Sequence, residues 1–233
     1  MMMHKTLACL VVVLMAAPFV GCQKLAGGSS PAGAPQTEDQ KTLYALGLML
    51  GRNISVFNLT KEELSQVQAG MADQVLKTKP AVALEAYGPK VDGLARARQA
   101  TTIAGEKARA GKILEAAARE SGAVKLPSGV VIRTTKPGTG PSPTDKDKVK
   151  VHYVGTLTDG TEFDSSIKRK EPAQFPVNGV IKCWSEGLQK MKVGEKARLT
   201  CPSDAAYGDG GQPPSIPGGA TLLFDVELLE IVK

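Results

Sequence analysis

The sequence has little of what most enzymes use for catalysis. Of its two histidines, only His152 lies beyond the N-terminal segment. General acid–base catalysis usually needs a histidine or paired carboxylates, and a lone histidine beside Tyr153 in a strand is more typical of a packing or surface residue. No CxxC or HExxH pattern occurs, so the spacings of a zinc site are missing. We therefore expect no metal and no cofactor.

Dense charge of one sign is also missing. The formal net charge is +6, and basic and acidic residues alternate without a basic block. Nucleic-acid-binding domains cluster lysine and arginine, often with aromatic residues, whereas this chain has one tryptophan and 4% aromatic residues. We expect no nucleic-acid partner. A hydrophobic content of 42% favours a folded chain with a packed core over a disordered one.

The first residues have the features of an export signal. Lys5 provides a positive charge, residues 7–20 are almost wholly apolar, and small Gly21 precedes a cysteine. This apolar run is short for a membrane span. We predict a signal peptide over residues 1–21. Ordinary secretory cleavage near Ala16 and a retained membrane anchor are the alternatives.

The end of this segment resembles a bacterial lipobox. In Phe19-Val20-Gly21-Cys22 the cysteine would receive lipid and become the mature N-terminus, although Phe19 stands where leucine is usual. Gln23 follows the cysteine, which is typical of sorting to an outer membrane. We predict lipidation of Cys22 and a flexible tether over residues 22–36, which are small, polar and proline-bearing. We expect a periplasmic or outer-membrane-associated lipoprotein of a Gram-negative-type bacterium.

Helical periodicity extends from Thr37 to about Gly122. Thr37–Gln40 and Thr60–Glu63 have the spacing of a capping box, in which a threonine caps a backbone N–H and a later residue reaches back. The second helix is expected to end at Lys79-Pro80. These short helices bury too little surface to be stable alone, so we predict a homodimer formed through residues 37–88.

An alanine-rich, charged segment lies between Pro89 and Glu120. Its sparse apolar residues give only a thin stripe, and a continuous helix of this length would span roughly 45 Å. Ser121-Gly122 is expected to cap it. We predict a long helical stalk that completes a helical dimerisation domain of residues 37–125. A broken pair of surface helices, favoured by three internal glycines, is the alternative.

The hydrophobic period changes to two after Leu126. Alternating apolar residues occur in three runs, which are Val130 and Ile132; Val149, Val151 and Tyr153; and Leu222, Phe224, Val226 and Leu228. Turns with glycine and proline separate these strands, and one short helix is expected over Cys183–Lys190. We predict an α+β fold in which an antiparallel sheet over residues 126–233 wraps around a single helix.

Five motifs are distributed over this strand-rich half. In chain order they are Val151–Gly155, Asp159–Ser166, Val180–Trp184, Ala206–Gly208 and Ala220–Leu228. Together they resemble the FKBP family of peptidyl-prolyl cis-trans isomerases, in the family's order and with near-family spacing. The preceding helical region is similar to that of exported Mip/FkpA-type isomerases, which dimerise through it. The resemblance implies isomerisation of X–Pro bonds in proline-containing unfolded or partly folded polypeptides.

The resemblance also implies a proline-binding pocket. Its catalytic groups would be the hydroxyl of Tyr207 and the backbone N–H of Ile181, which bond substrate carbonyls, and Asp164, a buried charge that organises the polar edge. The implied substrate-binding residues are Tyr153, Phe163, Arg169, Phe175, Val180, Trp184, Ile216 and Phe224. In this reading Trp184 is the floor and Arg169 pairs with Asp164. Taken singly, each aromatic residue could instead be ordinary core.

Three positions depart from the family pattern. Ala173 stands where many members have an aromatic wall, Gly179 where some have an acidic residue, and Ser215 where an apolar residue is common. The rim of the pocket is therefore expected to be more open. The resemblance implies FK506-type macrolides as ligands, and these departures predict a weakened affinity for them.

Two other functions remain open at this point. A chaperone-like module could hold unfolded chains through the avidity of two pockets in a dimer, with incidental isomerase activity. A thiol oxidoreductase could use Cys183 and Cys201, but they form no CxxC pair and apolar surroundings would raise a thiol pKa. In an oxidising compartment these two cysteines could form a disulfide or stay buried and free.

Overall fold

The structure is a computed structural model that describes residues 33–232. The predicted signal peptide, Cys22 and most of the predicted tether lie outside the described residues. By its contacts the described chain divides into two units, with the boundary between Tyr44 and Ala45. Within the described residues, no helix is both long enough and apolar enough to cross a membrane.

Helix α1 (Glu38–Asn53) begins at the first predicted capping box. The Thr37 hydroxyl accepts a hydrogen bond from the Gln40 N–H at 3.2 Å, and the Gln40 side-chain oxygen accepts one from the Thr37 N–H at 3.2 Å. These bonds satisfy two of the backbone donors that every helix N-terminus leaves free. The predicted start of this helix is therefore confirmed.

Helix α2 (Lys61–Leu76) begins at the second predicted capping box, after a short 3-10 helix over Ser55–Phe57. Thr60 and Glu63 form both bonds of the box. The helix ends at Leu76, because the next residue, Lys77, takes a left-handed conformation with φ 55°. The expected end at Lys79-Pro80 is therefore slightly too late.

Helix α3 (Leu84–Arg119) is one continuous helix of 36 residues, about 54 Å long at 1.5 Å per residue. Pro89 is its sixth residue, so the helix lacks the hydrogen bond that a backbone N–H at this position would donate to the Glu85 carbonyl. The alternative of a broken pair of helices is wrong. The helix also ends earlier than its expected cap, with Glu120 extended at the C-cap position and Gly122 at φ 78°.

Helices α1, α2 and α3 contain no fully buried residue. Large apolar side chains on them are instead exposed, and the set includes Leu46, Met49, Met71, Val75, Leu84, Tyr87 and Val91. A helix of a soluble protein usually buries such side chains against a partner element. The helical region therefore presents apolar surface that the described chain leaves uncovered.

Seven strands form one antiparallel sheet within residues 33–232. The strands are β1 (Ala123–Lys125), β2 (Val131–Lys136), β3 (Lys148–Leu157), β4 (Glu162–Ser165), β5 (Ala173–Pro176), β6 (Lys196–Cys201) and β7 (Leu222–Val232). Their order is β1-β2-β6-β7-β3-β4, and β5 also pairs with β3. The long strands β3 and β7 pair over their whole length, which places them at the centre of the sheet.

One face of this sheet packs around the short helix α4 (Lys182–Leu188). The predicted alternation is confirmed, since the side chains of Val149, Val151 and Tyr153 on β3 are buried. Leu222, Phe224, Val226 and Leu228 on β7 are buried in the same way. Helix α4 buries Trp184 and Leu188 against them. The predicted antiparallel sheet around a single helix is therefore present.

Strand β1 lies before the predicted domain boundary at residue 126. It pairs with β2, with Ala123 opposite Arg133 and Lys125 opposite Val131, so the sheet begins at Ala123. The sheet thus includes three residues before the predicted boundary, since a strand of three residues, Ala-Val-Lys, has no readable hydrophobic period. Helix α3 also leads into the sheet after only three residues.

Candidate functional site

Trp184, which lies in α4 and is 5% exposed, is the centre of a group of five aromatic side chains. Its ring centroid is 5.0 Å from that of Tyr153, 5.3 Å from that of Phe224 and 5.7 Å from that of Phe175, each with edge-to-face geometry. Phe163 contacts Phe224 in the same way at 5.6 Å. Edge-to-face contacts at this separation are favourable. We call these five side chains the aromatic cluster.

A polar network borders the aromatic cluster at Tyr153. The Tyr153 hydroxyl donates a hydrogen bond to one oxygen of Asp164, and Arg169 donates to the other oxygen. Arg169 also donates to the Tyr153 hydroxyl at 2.9 Å. The predicted Arg169–Asp164 pair is thus present in the structure, and the tyrosine joins it. We call these three residues the polar edge.

Backbone pairing positions the polar edge. Asp164 lies on β4 opposite Gly155 of β3. Ser166, two residues after Asp164, is buried, and its hydroxyl accepts a hydrogen bond from the Tyr153 N–H at 2.8 Å. His152 reaches the same hydroxyl through Nδ1 at 3.0 Å. His152 thus belongs to the local packing of β3, as its position in a strand suggested.

The charges of the polar edge support one another. Burial opposes ionisation of Asp164, but the hydrogen bonds from Tyr153 and Arg169 and the guanidinium charge outweigh it, so the pKa of Asp164 lies below its ordinary value. Burial, and then the bond to Asp164, raise the pKa of Tyr153. A neutral tyrosine therefore faces a charged carboxylate. The Asp164 side chain is 42% exposed, so the expectation of a buried charge is wrong: the carboxylate lies at the exposed border of the aromatic cluster, bonded to Tyr153.

The two predicted hydrogen-bond donors to substrate are accessible. Tyr207 is 37% exposed, and burial together with the charge of Asp164 raises the pKa of its hydroxyl. Ile181 occupies the N-cap of α4, and its carbonyl accepts bonds from the N–H groups of Trp184 and Ser185. Its own N–H donates no backbone hydrogen bond within residues 33–232. The Tyr207 side chain is therefore open to a ligand, and no backbone carbonyl of the described chain competes for the Ile181 N–H.

The remaining predicted site residues pack on the same core. Val180 and Ile181 are half-buried against the core cluster that contains Trp184, and Ile216 is 3% exposed within it. The structure thus connects the predicted aromatic residues by ring contacts and Asp164 and Arg169 by hydrogen bonds. Tyr207 has no ring contact and no side-chain hydrogen bond to these groups within residues 33–232; burial and then the charge of Asp164 raise the pKa of its hydroxyl.

Sequence reasoning assigned no role to Gly155, which the structure makes essential to the shape of the cluster. A Cβ atom at this position would lie 2.7 Å from two ring atoms of Phe163 and 2.9 Å from a ring atom of Phe224. Real Cβ atoms do not approach so closely. The only available signal was a glycine inside a strand, which marks close approach of another group.

Cys183 and Cys201 are fully buried, and the structure places their sulfur atoms at bonding distance with Cα atoms 5.6 Å apart. This Cα separation is typical of a disulfide. The pair joins α4, next to Trp184, to the end of β6. Buried, mutually bonded sulfurs offer no accessible thiol, which argues against the thiol oxidoreductase alternative.

Within the described residues, no group of side chains has the composition of a metal site.

Two family models match the chain. The model described as FKBP-type peptidyl-prolyl cis-trans isomerase matches residues 140–229, and that of the domain amino-terminal to FKBP-type peptidyl-prolyl isomerase matches residues 39–132. FkpA of Aeromonas hydrophila is 40% identical over 224 residues, which cover 89% of this chain and 83% of the relative. This chain belongs to the FKBP-type peptidyl-prolyl cis-trans isomerases.

Other relatives agree over most of the chain. The FKBP-type 22 kDa peptidyl-prolyl cis-trans isomerase of Escherichia coli strain K12 is 41% identical over 204 residues, covering 84% of this chain and 97% of the relative. The crystal structure of Escherichia coli FkpA matches with a TM-score of 0.64 at 36% identity, covering 85% of this chain and 98% of that chain. The predicted fold class and family are confirmed, and the protein is a peptidyl-prolyl cis-trans isomerase of protein folding. These relatives do not favour a holding module with incidental activity.

Proposed function

We propose that this FKBP-type isomerase turns over X–Pro bonds in the pocket formed by the aromatic cluster and the polar edge. The observation that carries the proposal is the meeting of five aromatic rings with the Tyr153–Asp164–Arg169 network. One face of this pocket is apolar, and its mouth carries charge and hydrogen-bond donors. A proline ring with its preceding carbonyl matches this division into apolar and polar parts.

The chemistry of the X–Pro bond explains why such a pocket accelerates rotation. Amide resonance holds the bond planar with a barrier of about 18–20 kcal/mol. The twisted transition state loses that resonance and becomes less polar, so an apolar pocket that excludes water binds it better than the planar ground state. Lowering the barrier by about 5.5 kcal/mol gives roughly a ten-thousandfold acceleration. No covalent or proton-transfer step is required.

Each group has a distinct part in this mechanism. Trp184 forms the floor beneath the proline ring, and the other aromatic residues, with Val180 and Ile216, form its walls. The Tyr207 hydroxyl and the Ile181 N–H donate to substrate carbonyls. Asp164 stays ionised and, with Arg169, holds the Tyr153 ring against the indole. These roles are supported by the accessible donors and by the ring contacts.

A single-atom change tests this assignment. Tyr207→Phe removes one hydroxyl, and we expect kcat/KM on a prolyl tetrapeptide in a protease-coupled assay to fall about two- to tenfold, the value of one hydrogen bond. Tyr87→Phe is the matched control, because Tyr87 is an exposed tyrosine on α3. A larger loss is expected for Trp184→Leu. Unchanged turnover in both Tyr207→Phe and Trp184→Leu would contradict the proposal.

We also propose that two chains assemble through their helical regions, over residues 37–88. Support comes from the exposed apolar side chains of α1 and α2 and the absence of fully buried residues in both described helices. A second copy offers matching apolar surface. Sedimentation of the wild type at micromolar concentration should give a dimer, and Met49→Glu with Met71→Glu should give a monomer. Lys112→Glu, outside this region, is the control, and a monomeric wild type would exclude the dimer.

Export with a lipid anchor at Cys22 is a further proposal. Its support is the charged start, the apolar run over residues 7–20 and the lipobox-like segment before Cys22. The expected location is the periplasm or the outer membrane. Metabolic labelling with a radioactive fatty acid should mark the wild type but not Cys22→Ser. The anchor at Cys22 would be ruled out if the Cys22→Ser variant were labelled or if the wild type were not labelled.

We propose that FK506-type macrolides bind this pocket with weakened affinity. The polar edge and the aromatic cluster supply a pocket for the ligand core, whereas Ala173, Gly179 and Ser215 supply little rim surface. FK506 should therefore inhibit turnover only at raised concentration, and Ala173→Tyr should lower the inhibition constant. The proposal would be contradicted if FK506 inhibited the wild type at low concentration and if Ala173→Tyr left the inhibition constant unchanged.

A further inference from the structure

Tyr207 opens a loop that is tied to itself by backbone hydrogen bonds. We call Tyr207–Gly219 the site loop. The Gly211 N–H donates to the Tyr207 carbonyl at 3.1 Å, and the Gly219 N–H donates to the Gly208 carbonyl at 2.9 Å. A displacement at the end of the loop therefore passes directly to the residue after Tyr207. Ile216, another proposed pocket residue, lies buried within the loop.

Helix α3 lies directly against the end of this loop. A Cβ atom added at Gly219 would lie 3.2 Å from the carbonyl oxygen of Ile103 and 3.3 Å from its Cα atom, and one at Gly218 would lie 3.0 Å from the Ile103 Cγ1. Gly219 also has φ 77°, which side chains other than glycine rarely adopt. The loop backbone thus rests on the helix backbone at Ile103, in a position open only to glycine.

An ion pair joins the two elements a turn further along the helix. The Nζ atom of Lys107 is 2.5 Å from an oxygen of Asp209, two residues after Tyr207. The hydrogen bond to Asp209 raises the pKa of Lys107, so the lysine stays charged at neutral pH. Helix α3 therefore contacts the site loop at both of its ends, near Tyr207 and at Gly219.

From these contacts we infer that Ile103 and Lys107 of α3 are positioning residues for the isomerase reaction, because they hold the site loop where the Tyr207 hydroxyl meets substrate. The loop needs such support because Gly208, Gly210 and Gly211 give it large conformational freedom, which must be lost before Tyr207 can bond a carbonyl. The inference rests on the proposed role of Tyr207. It gives the stalk a part in catalysis as well as in linking the two halves of the chain.

Charge reversal tests the inference in the full chain. We expect Lys107→Asp and Asp209→Lys each to lower kcat/KM on a prolyl tetrapeptide about two- to fivefold, the upper range for an exposed ion pair. The loss should lie in kcat, since the aromatic cluster that binds the proline ring is intact. The Lys107→Asp/Asp209→Lys double variant should recover most of the activity. Lys112→Asp makes the same charge change on an exposed part of α3 and is the matched control.

Two further measurements separate positioning from simple stability. Hydrogen exchange of the site-loop amides should accelerate in the single variants and return to the wild-type rate in the double variant. The urea midpoint should stay unchanged, because the paired side chains are about half exposed. Full activity in both single variants, no recovery in the double variant, or a loss that follows the urea midpoint would overturn the inference.

Tyr207→Phe in the same series separates this inference from the proposed function. A loss of activity in Tyr207→Phe with full activity in Lys107→Asp refutes only the positioning role. Full activity in Tyr207→Phe refutes the role of the hydroxyl itself, and the positioning inference with it.

Discussion

Removal of the Cys183–Cys201 bond should cost the sheet domain a measurable part of its stability. The two cysteines are 18 residues apart. The chain-entropy relation for a closed loop of about this length gives roughly 3 kcal/mol at 25 °C, because the cross-link restricts the unfolded chain. This is a large share of the ~5–15 kcal/mol that a typical domain has in total. We therefore expect reduction to shift the urea unfolding midpoint clearly downward.

The single tryptophan makes the assay specific. Trp184 lies next to Cys183 in the buried core, so its fluorescence follows unfolding of the domain that the disulfide constrains. Wild type in dithiothreitol is the best comparison, because it keeps both sulfur atoms and loses only the bond. The urea midpoint of the Cys183→Ala/Cys201→Ala variant should be lower still, because this variant also loses the volume of two buried side chains. Identical midpoints with and without reductant, or an unreduced mass that lacks the two-proton deficit, would refute the reasoning.

Two more predictions concern the pocket itself. Gly155→Ala should lower stability by about 1–3 kcal/mol, since its Cβ would collide with the Phe163 ring. It should also lower kcat/KM, whereas Gly93→Ala in open space on α3 should be neutral or stabilising in the same urea titration. The pKa of Asp164 is lowered in the folded protein. The stabilisation of the polar edge by the ionised carboxylate is therefore complete above the ordinary pKa of a carboxyl group, and it is lost only as the pH falls through the lower pKa of the folded state. Activity measured by NMR exchange should therefore persist to acidic pH, and Arg169→Gln should move the acid limb to higher pH. An unmoved limb, or a Gly155→Ala protein as stable as wild type, would contradict these arguments.

Local patterns predicted the local structure well. The capping boxes at Thr37 and Thr60 fix helix starts because both partners lie within four residues of each other. The alternation of Val149, Val151 and Tyr153 fixes the buried face of β3 for the same reason, since side chains of a strand alternate. The aromatic cluster was predicted only through its family resemblance, as no local rule brings Phe163 to Phe224.

Contacts between distant segments were the part that sequence could not supply. The sparse apolar residues of α3 predicted a stalk, yet Ile103 lies against Gly218 and Gly219, more than a hundred residues later. In the sequence, two adjacent glycines in a loop indicate only a flexible backbone. The structure shows that Gly218 and Gly219 allow the loop to pack closely against α3. Asp164 was expected to be a buried charge because the family resemblance implied one, whereas its side chain is 42% exposed.

The order of strands has a consequence for how the domain matures. β7 lies between β6 and β3, yet it is the last of the seven strands to be synthesised. Until it arrives, the sheet is split into two halves, and the indole lacks the phenylalanine ring supplied from that strand. In the proposed export, a chain that crosses the membrane from its N-terminus would thus remain unable to complete this sheet in transit. Completion would wait for the far side, where premature folding no longer obstructs passage.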